Sequence, residues 1–206
     1  MEELNEVLIS IIMPVRDNER LFPNAVKSVL DQSFQDWELI IVEGRSTDNT
    51  AKLADDFAAS DQRIRTFHID EWMYESTNIG IYEAKGSYVA VLNSDDLLMP
   101  DALQRAAENI YAYDVDVYLF AVANFECDLQ QNILSSEADD TIARMPKGFV
   151  IRDKAEIKKN WVNLLNTGLL NNQLNVYKKE LVADERLRND IFGADYYFNL
   201  TLLPKI

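Results

Sequence analysis

Three observations predict an α/β fold with a mostly parallel sheet. Short runs of Val, Ile and Leu alternate with segments of helical period through the first half of the chain. Most of these runs are continuously apolar, as in strands covered on both faces. Three of them end on polar or charged residues: Pro14-Val15-Arg16-Asp17, Val42-Glu43-Gly44-Arg45 and Asn93-Ser94-Asp95-Asp96. Ligands of such sheets sit beyond the carboxyl ends of the strands, so one rim is expected to gather the chemistry.

Val7 to Val15 reads as a buried strand, closed by Pro14. Leu21 to Gln32 reads as a helix, with Ala25, Val26, Val29 and Leu30 at helical spacing. Trp37 to Val42 is a second buried strand. Ser46 to Thr50 supplies helix-starting side chains for a helix running to about Ala59. Ile64 to Ile69 alternates apolar and polar residues as a third strand. Tyr74 to Ala84 is a helix ended near Gly86, and Tyr88 to Asn93 is a fourth strand. Pro100 to Tyr111 is a helix with proline in its first turn. Farther on, Val115 to Asn124 reads as a strand, Ala155 to Leu165 as a helix, Gln173 to Lys178 as a strand or extended connection, and Ala194 to Leu203 as a helix. No repeat, linker or internal boundary divides the chain, which reads as one domain over residues 1–206. Residues 7–103 are expected to carry the rim chemistry and residues 104–206 to complete the site.

Composition narrows the partners. The 206 residues suffice for a sizeable core, and 48% hydrophobic content is ordinary for a globular protein. A formal charge of −15 argues against nucleic acid and against broad adhesion to anionic lipid. One cysteine, Cys127, excludes an internal disulfide. One histidine, His68, excludes a multi-histidine metal site and disfavours zinc. The acidic start Met1-Glu2-Glu3 lacks a signal peptide's basic segment, and no apolar run reaches membrane-spanning length. A cytoplasmic protein is expected.

The apolar run Tyr88-Val89-Ala90-Val91-Leu92 stops on Asn93-Ser94-Asp95-Asp96. Adjacent carboxylates at a strand end repel, and a divalent cation with a taste for oxygen, Mg²⁺ or Mn²⁺, relieves them. Such an ion most naturally neutralises a diphosphate. The bland alternative is a solvated loop capping the next helix.

Five stretches together resemble the family 2 glycosyltransferases of GT-A fold. Ile9-Ser10-Ile11-Ile12-Met13-Pro14-Val15 with Asn18 is similar to the family's opening strand, S-x-I-x-P-x-Y-N. Ser28 to Phe34 with Trp37 to Val42 is similar to its S-x-L-x-Q-[TS]-x…[WFY]-E-[IL]-I-[IV]-V stretch. Ser46 to Thr50 is similar to the end of D-D-G-S-x-D-x-T. Asn78, Gly80, Ala84 and Gly86 are similar to N-x-G-x-x-x-A-x-G. Asp95, Asp96 and Pro100 are similar to the acidic motif and its following proline. The likeness covers Ile9 to about Leu103, and Gly193 to Leu200 more loosely; five ordered motifs are far more specific than any one.

The resemblance implies a GT-A-like, Rossmann-like sheet and an inverting transfer from a nucleotide-diphospho-sugar, a UDP-sugar foremost. Asp95 is implied as the ligand of Mn²⁺ or Mg²⁺; Asp96 shares the metal or serves the ribose. Asn93 stands where many relatives carry Asp. Asn93, Ser94 and Asp96 are implied in nucleotide binding, with Pro14, Val15 and Arg16 against the nucleoside and Asn78 near the diphosphate. Arg16 also has a bland role, pairing with Asp17 or Glu19. Glu43 takes the place of the uracil-reading Asp, one methylene longer, and the Asp-Gly that follows in the family is Gly44-Arg45 here. Arg45 is either a phosphate or acceptor contact or an exposed loop arginine. Asp195, in Phe192-Gly193-Ala194-Asp195, matches the catalytic base of an E-D-x-x-[FL] segment, with Asp190 as the alternative. His68 is expected to be a partly buried strand residue, and Cys127 a packing residue. The acceptor is expected to be a glycan or lipid-linked saccharide of surface polysaccharide assembly, reached at the inner face of the membrane beside membrane-bound partners. The chain stops at Ile206, where many relatives continue, so beside the nucleotide half, residues 7–103, the acceptor half, residues 104–206, is expected to be either truncated or naturally short. Asn93, Glu43-Gly44-Arg45 and this early end feed a second reading, a non-catalytic nucleotide-sugar-binding module. A sugar-nucleotide pyrophosphorylase lacks support, because no G-x-G-T-R-like opening is present.

Overall fold

A computed structural model describes residues 9–70, 74–119, 123–127, 133–138, 175–187 and 202. Four parallel strands form its centre: β1 (Ile9–Val15), β2 (Trp37–Glu43), β3 (Ile64–His68) and β4 (Tyr88–Val91). The helices between them are α1 (Phe22–Leu30), α2 (Thr50–Ser60) and α3 (Tyr74–Glu83), with α4 (Ala102–Tyr113) after β4. Strands β5 (Val117–Tyr118) and β8 (Val176–Lys178) complete a six-stranded sheet of order β3-β2-β1-β4-β8-β5. Strand β8 runs antiparallel to both β4 and β5. Strands β6 (Ala123–Cys127) and β7 (Ile133–Ala138) pair separately, and a short α5 (Lys179–Val182) follows β8. The α/β, mostly parallel sheet expected from the sequence is therefore present. The strand expected over Val115 to Asn124 is corrected to two short strands in different sheets, and β4 ends two residues earlier than expected.

Side-chain alternation along the strands divides the core between the two faces. Ile9, Ile11, Met13 and Val15 of β1 and Trp37, Leu39 and Ile41 of β2 meet Phe22, Ala25, Val26 and Val29 of α1 and Leu103, Ala106 and Ile110 of α4. Ile12, Ile40, Val42 and Val89 face the other way, against Ile81 of α3 and Leu181 and Val182 of α5. All seven residues of β2 are buried, which explains its unbroken apolar sequence. Burial of one Val, Leu or Ile side chain contributes about 1.5–3 kcal/mol. Gly80 lets α3 lie close on β1: a Cβ there would stand 2.2 Å from Ile12 Cγ2.

The chain moves outward from β1 to β2 to β3, then returns to the other side of β1 as β4. The reversal places a topological switch point between β1 and β4. In open α/β sheets the ligand crevice lies there, beyond the carboxyl ends.

Candidate active site

Three loops at that rim are bound into one platform. Asp17 takes a left-handed φ of 47° and its N–H donates to Ser46 Oγ at 2.9 Å. Asp17 Oδ1 accepts from the Thr47 N–H at 2.6 Å and from its hydroxyl at 3.0 Å. The Thr47 backbone N–H holds the Asp17 carboxyl below its ordinary value, against the opposing effect of burial and with smaller help from the Thr47 hydroxyl and the Arg16 charge. The Asn18 N–H donates to Thr50 Oγ1 at 2.9 Å. Asp48 accepts from the Glu19 N–H through one oxygen and from the Thr50 N–H through the other. Glu19 Oε2 accepts from both the N–H and the amide of Asn49. The Ser46 to Thr50 motif thus joins the β1–α1 loop to the β2–α2 loop. Helix α2 starts only at Thr50, because the polar residues before it are engaged across the loops.

Across the switch point, Asn18 Nδ2 donates to Ser94 O at 3.1 Å and Ser94 Oγ at 2.9 Å. The acidic loop is held from below as well. Ser28 Oγ accepts from the Leu98 N–H, Gln32 Nε2 donates to Met99 O at 2.7 Å, Gln32 Oε1 accepts from the Leu103 N–H, and the Ser33 N–H donates to Pro100 O. Ser28, Gln32 and Ser33 of the second motif are therefore a clamp on the residues that follow Asp95-Asp96.

Within this loop Ser94 is buried, Asp95 is exposed and Asp96 is half-buried. Asn93 Nδ2 donates to Asp96 Oδ2 at 3.0 Å. Burial pushes the Asp96 carboxyl above its ordinary value; the Asn93 amide opposes this and the Asp95 charge adds to it. A half-buried anion beside a second anion, both with hard oxygens, suits a divalent cation. Among the described residues no three His, Cys, Asp or Glu side chains cluster as a metal site. An ion at Asp95-Asp96 would need ligand oxygens, such as those of a diphosphate, to complete its coordination.

At the end of β2, Glu43 is only 2% exposed. Its Oε1 accepts from the Ser46 N–H at 2.6 Å and its Oε2 meets His68 Nδ1 at 2.8 Å. Burial alone would raise the Glu43 carboxyl, but the hydrogen bonds from Ser46 and His68 outweigh it and hold it below its ordinary value. His68 Nε2 meets Asp55 Oδ1 of α2 at 2.9 Å. The hydrogen bonds to Glu43 and then Asp55 raise the imidazole above its ordinary value, despite burial. Sequence reasoning missed this three-residue chain. His68 is a strand residue as expected, but an exposed one with a carboxylate at each ring nitrogen.

The other expected site residues are distributed as follows. Val15 is buried and Pro14 partly so, and the Val15 carbonyl accepts from the Gly44 N–H at 3.0 Å. Arg16 pairs with Asp17 at 3.4 Å. Arg45 takes a left-handed φ of 52° and pairs with Asp70 at 2.5 Å, both largely exposed. Asn78 is buried rather than on the helix surface. Its Nδ2 donates to Leu187 O and Glu75 Oε2, and its Oδ1 accepts from the Leu187 N–H. The amide is thereby engaged in pegging α3 to the segment after α5. Asp195 and Asp190 lie outside the described residues, as do the expected helices over 155–165 and most of 194–203.

Two motif residues sit at the opposite edge. Ser10 Oγ donates to Glu38 Oε1 at 2.6 Å and accepts from the Gly86 N–H at 2.8 Å. Glu38 also accepts from the Lys85 N–H and from Arg65. Burial would raise the Glu38 carboxyl, but Ser10, Lys85 and Arg65 together hold it low. These residues tie the start of β1 to β2, β3 and the α3–β4 turn, away from the rim.

Comparison with known proteins fits this architecture. TarS of S. aureus, residues 1–349 in complex with UDP, superposes with a TM-score of 0.69 at 18% identity, over 95% of this chain and 54% of that one. The mannosyltransferase PcManGT of Pyrobaculum calidifontis, in complex with GDP-Man and Mn²⁺, gives 0.61 at 14% identity, over 94% and 51%. At these identities the likeness establishes the GT-A-like fold. The glycosyltransferase GlyG of Streptococcus pneumoniae is 29% identical over 121 residues, 58% of this chain and 40% of its own. The putative teichuronic acid biosynthesis glycosyltransferase TuaG of Bacillus subtilis is 36% identical over 103 residues, 49% and 41%. The matched segment thus spans about two-fifths of these relatives, and the chain about half of the solved structures. The sequence model of Glycosyl transferase family 2 matches residues 10–173, so the chain belongs to that family.

Proposed function

We propose that the protein transfers a sugar from a nucleotide-diphospho-sugar, UDP-linked, to an acceptor hydroxyl, with inversion at the anomeric carbon. The observation that carries the proposal is the Asn18–Ser94 link across the β1–β4 switch point of a family 2 fold, with Asp95 and Asp96 next in the chain. TarS was solved with UDP and with UDP-GlcNAc, which supports a UDP donor; GDP-Man and Mn²⁺ in PcManGT support a divalent ion. Asp95 and Asp96 would hold Mn²⁺ or Mg²⁺, which when bound supplies charge stabilisation to the departing diphosphate. The remaining work is positioning. The end of β1, Pro14 and Val15 with Arg16, lies against the nucleoside, Glu43 marks its base end, and Arg45 offers a cation at the rim. In the acceptor half, Asp195 removes the proton of the attacking hydroxyl.

The teichuronic acid biosynthesis named for TuaG supports assembly of a surface polysaccharide, and the acceptor in this proposal is a glycan or lipid-linked saccharide. Among the described residues no helix is long and apolar enough to cross a membrane. We place the reaction at the cytoplasmic face, beside membrane-bound partners. Engagement of both Glu43 oxygens within the protein favours one competing reading, a module that binds a nucleotide-sugar without transferring it.

Thermal unfolding with UDP, GDP, CDP and dTDP, each with Mn²⁺ or with chelator, tests the donor. Ligand at 100 times its dissociation constant stabilises by about 2.7 kcal/mol, which raises the midpoint by roughly 5–10 °C for a chain of this size. A shift with UDP and Mn²⁺ supports the proposal, a shift with another nucleotide discards the uracil assignment, and no shift with any overturns the donor site. Release of free or transferred sugar from the bound donor separates enzyme from binding module.

A further inference from the structure

We propose that His68 is a positioning residue of the donor site: it holds Glu43 at the end of β2, supplies the positive charge that balances it, and thereby ties nucleoside-diphosphate affinity to pH. The inference rests on the donor reading above and deepens it. Glu43 and His68 are register partners on the parallel strands β2 and β3, so their side chains leave the sheet side by side at the carboxyl rim. A carboxylate with only 2% exposure needs a counter-charge. Its hydrogen bonds come from Ser46, which brings no charge, and from the His68 ring.

The charged groups facing that ring are Glu43 from β2 and Asp55 from α2. Arg45 and Asp70, on the adjoining loops, pair with each other. With a carboxylate at each nitrogen, only the imidazolium donates to both. A neutral ring keeps one N–H, so one contact turns into a lone pair facing an anion. Both carboxylates raise the imidazole above its ordinary value, so the doubly donating form persists toward neutral pH.

The consequence reaches the rim through Glu43. Its other oxygen holds the Ser46 N–H, and Ser46 and Thr47 hold Asp17. Loss of the proton from His68 leaves Glu43 as an unbalanced buried anion beneath this platform. It also makes the site one charge more negative toward an anionic ligand. Affinity should therefore fall as pH rises through the titration of His68.

The test uses the whole chain and Mn²⁺ with UDP as probe. Because the chain has a single histidine, one imidazole NMR resonance reports the titration without ambiguity. Calorimetric affinity is measured between about pH 6 and pH 9 for the wild type, His68→Gln and Asp55→Asn. The wild type should lose about fivefold in affinity across the His68 titration, the size expected of a partly exposed ion pair. His68→Gln should lack that step. Asp55→Asn, a change at an exposed helix position, should keep it but move it to lower pH together with the NMR midpoint. Identical pH profiles in the wild type and His68→Gln, or an Asp55→Asn variant whose NMR midpoint moves without the affinity step, overturn the role of His68 and leave the donor reading standing. No binding of UDP by the wild type at any pH overturns the donor reading, and this inference with it.

Discussion

Replacing Gly80 by alanine sets a local gain against a packing cost. Alanine is about 1 kcal/mol better than glycine inside a helix. Against this, the new Cβ would stand 2.2 Å from Ile12 Cγ2, 3.0 Å from its Cγ1 and 3.1 Å from its Cβ. Ile12 is fully buried on β1 and β-branched, so it has no free rotamer by which to retreat. The helix must lift from the sheet, and overpacking of this kind costs about 1–3 kcal/mol, with contacts this short at the upper end. The net expectation is a loss of about 1–2 kcal/mol, or roughly 2–8 °C in the unfolding midpoint at this chain length. Ile12→Ala removes the obstructing atoms and alone should cost about 2–5 kcal/mol. The double variant should then be more stable than the sum of the two losses by about 1 kcal/mol or more. Urea and thermal unfolding of the four proteins close the cycle. A Gly80→Ala variant at least as stable as the wild type, or an additive double variant, would refute the close approach of α3 to β1.

Four further outcomes follow from the same geometry. Asp96→Asn should raise the midpoint of the ligand-free protein by about 1–3 °C at neutral pH, because burial and Asp95 raise the Asp96 carboxyl, so its ionised form costs stability once pH exceeds that value; the Mn²⁺-dependent UDP shift should vanish, and an unchanged UDP shift would move the metal elsewhere. Arg45→Gly should stabilise by about 0.5 kcal/mol, relief of the left-handed backbone outweighing the exposed pair with Asp70, and denaturant titration showing a loss would contradict this. Glu38→Gln should cost about 2 kcal/mol at pH 7 and less as pH falls below 4.5, since a carboxyl held low contributes stability that acid removes; a gap that does not narrow would show that the charge is not what matters. Asp195→Asn should spare UDP binding and abolish sugar transfer, and wild-type turnover would place the base elsewhere.

The legible part of this fold was its apolar periodicity. Strands β1 and β2 are covered on both faces, so they show as unbroken runs, and within the described residues their expected bounds differ from the observed ones by no more than one residue. The rim was legible too, because Asn18, Glu43 and Asp95-Asp96 follow such runs directly. Roles that depend on distant partners were not. Ser10 and Glu38 stand 28 residues apart, and Asn18 and Ser94 stand 76 apart. Nothing local distinguishes Gln32, which clamps the acidic loop, from a surface glutamine. The Glu43–His68 contact was within reach, since parallel alignment of β2 and β3 brings two polar strand ends together. Asp55 was not, because its turn toward His68 depends on how α2 packs. The short β5 had too little apolar length to be separated from β6.

The departures at Glu43-Gly44-Arg45 change the charge at the end of β2. The family pattern implied by the resemblance puts Asp, Asp and Gly here. Glu43 still ends β2 with a carboxylate, and its extra methylene lets it meet both the Ser46 N–H and His68. The third position takes a left-handed turn of the kind that suits glycine, and an arginine bears it, at a cost of about 1–2 kcal/mol. A turn that kept only its shape would not need that side chain. What the substitution adds is a guanidinium, tethered to Asp70, close in sequence to the carboxylate that His68 balances. In a chain of net charge −15, an arginine and an imidazolium placed along one rim lower the local repulsion that a nucleoside diphosphate would meet. On this view the segment sets the charge around a left-handed turn, and the pH dependence expected of His68 is the measurable sign of that charge.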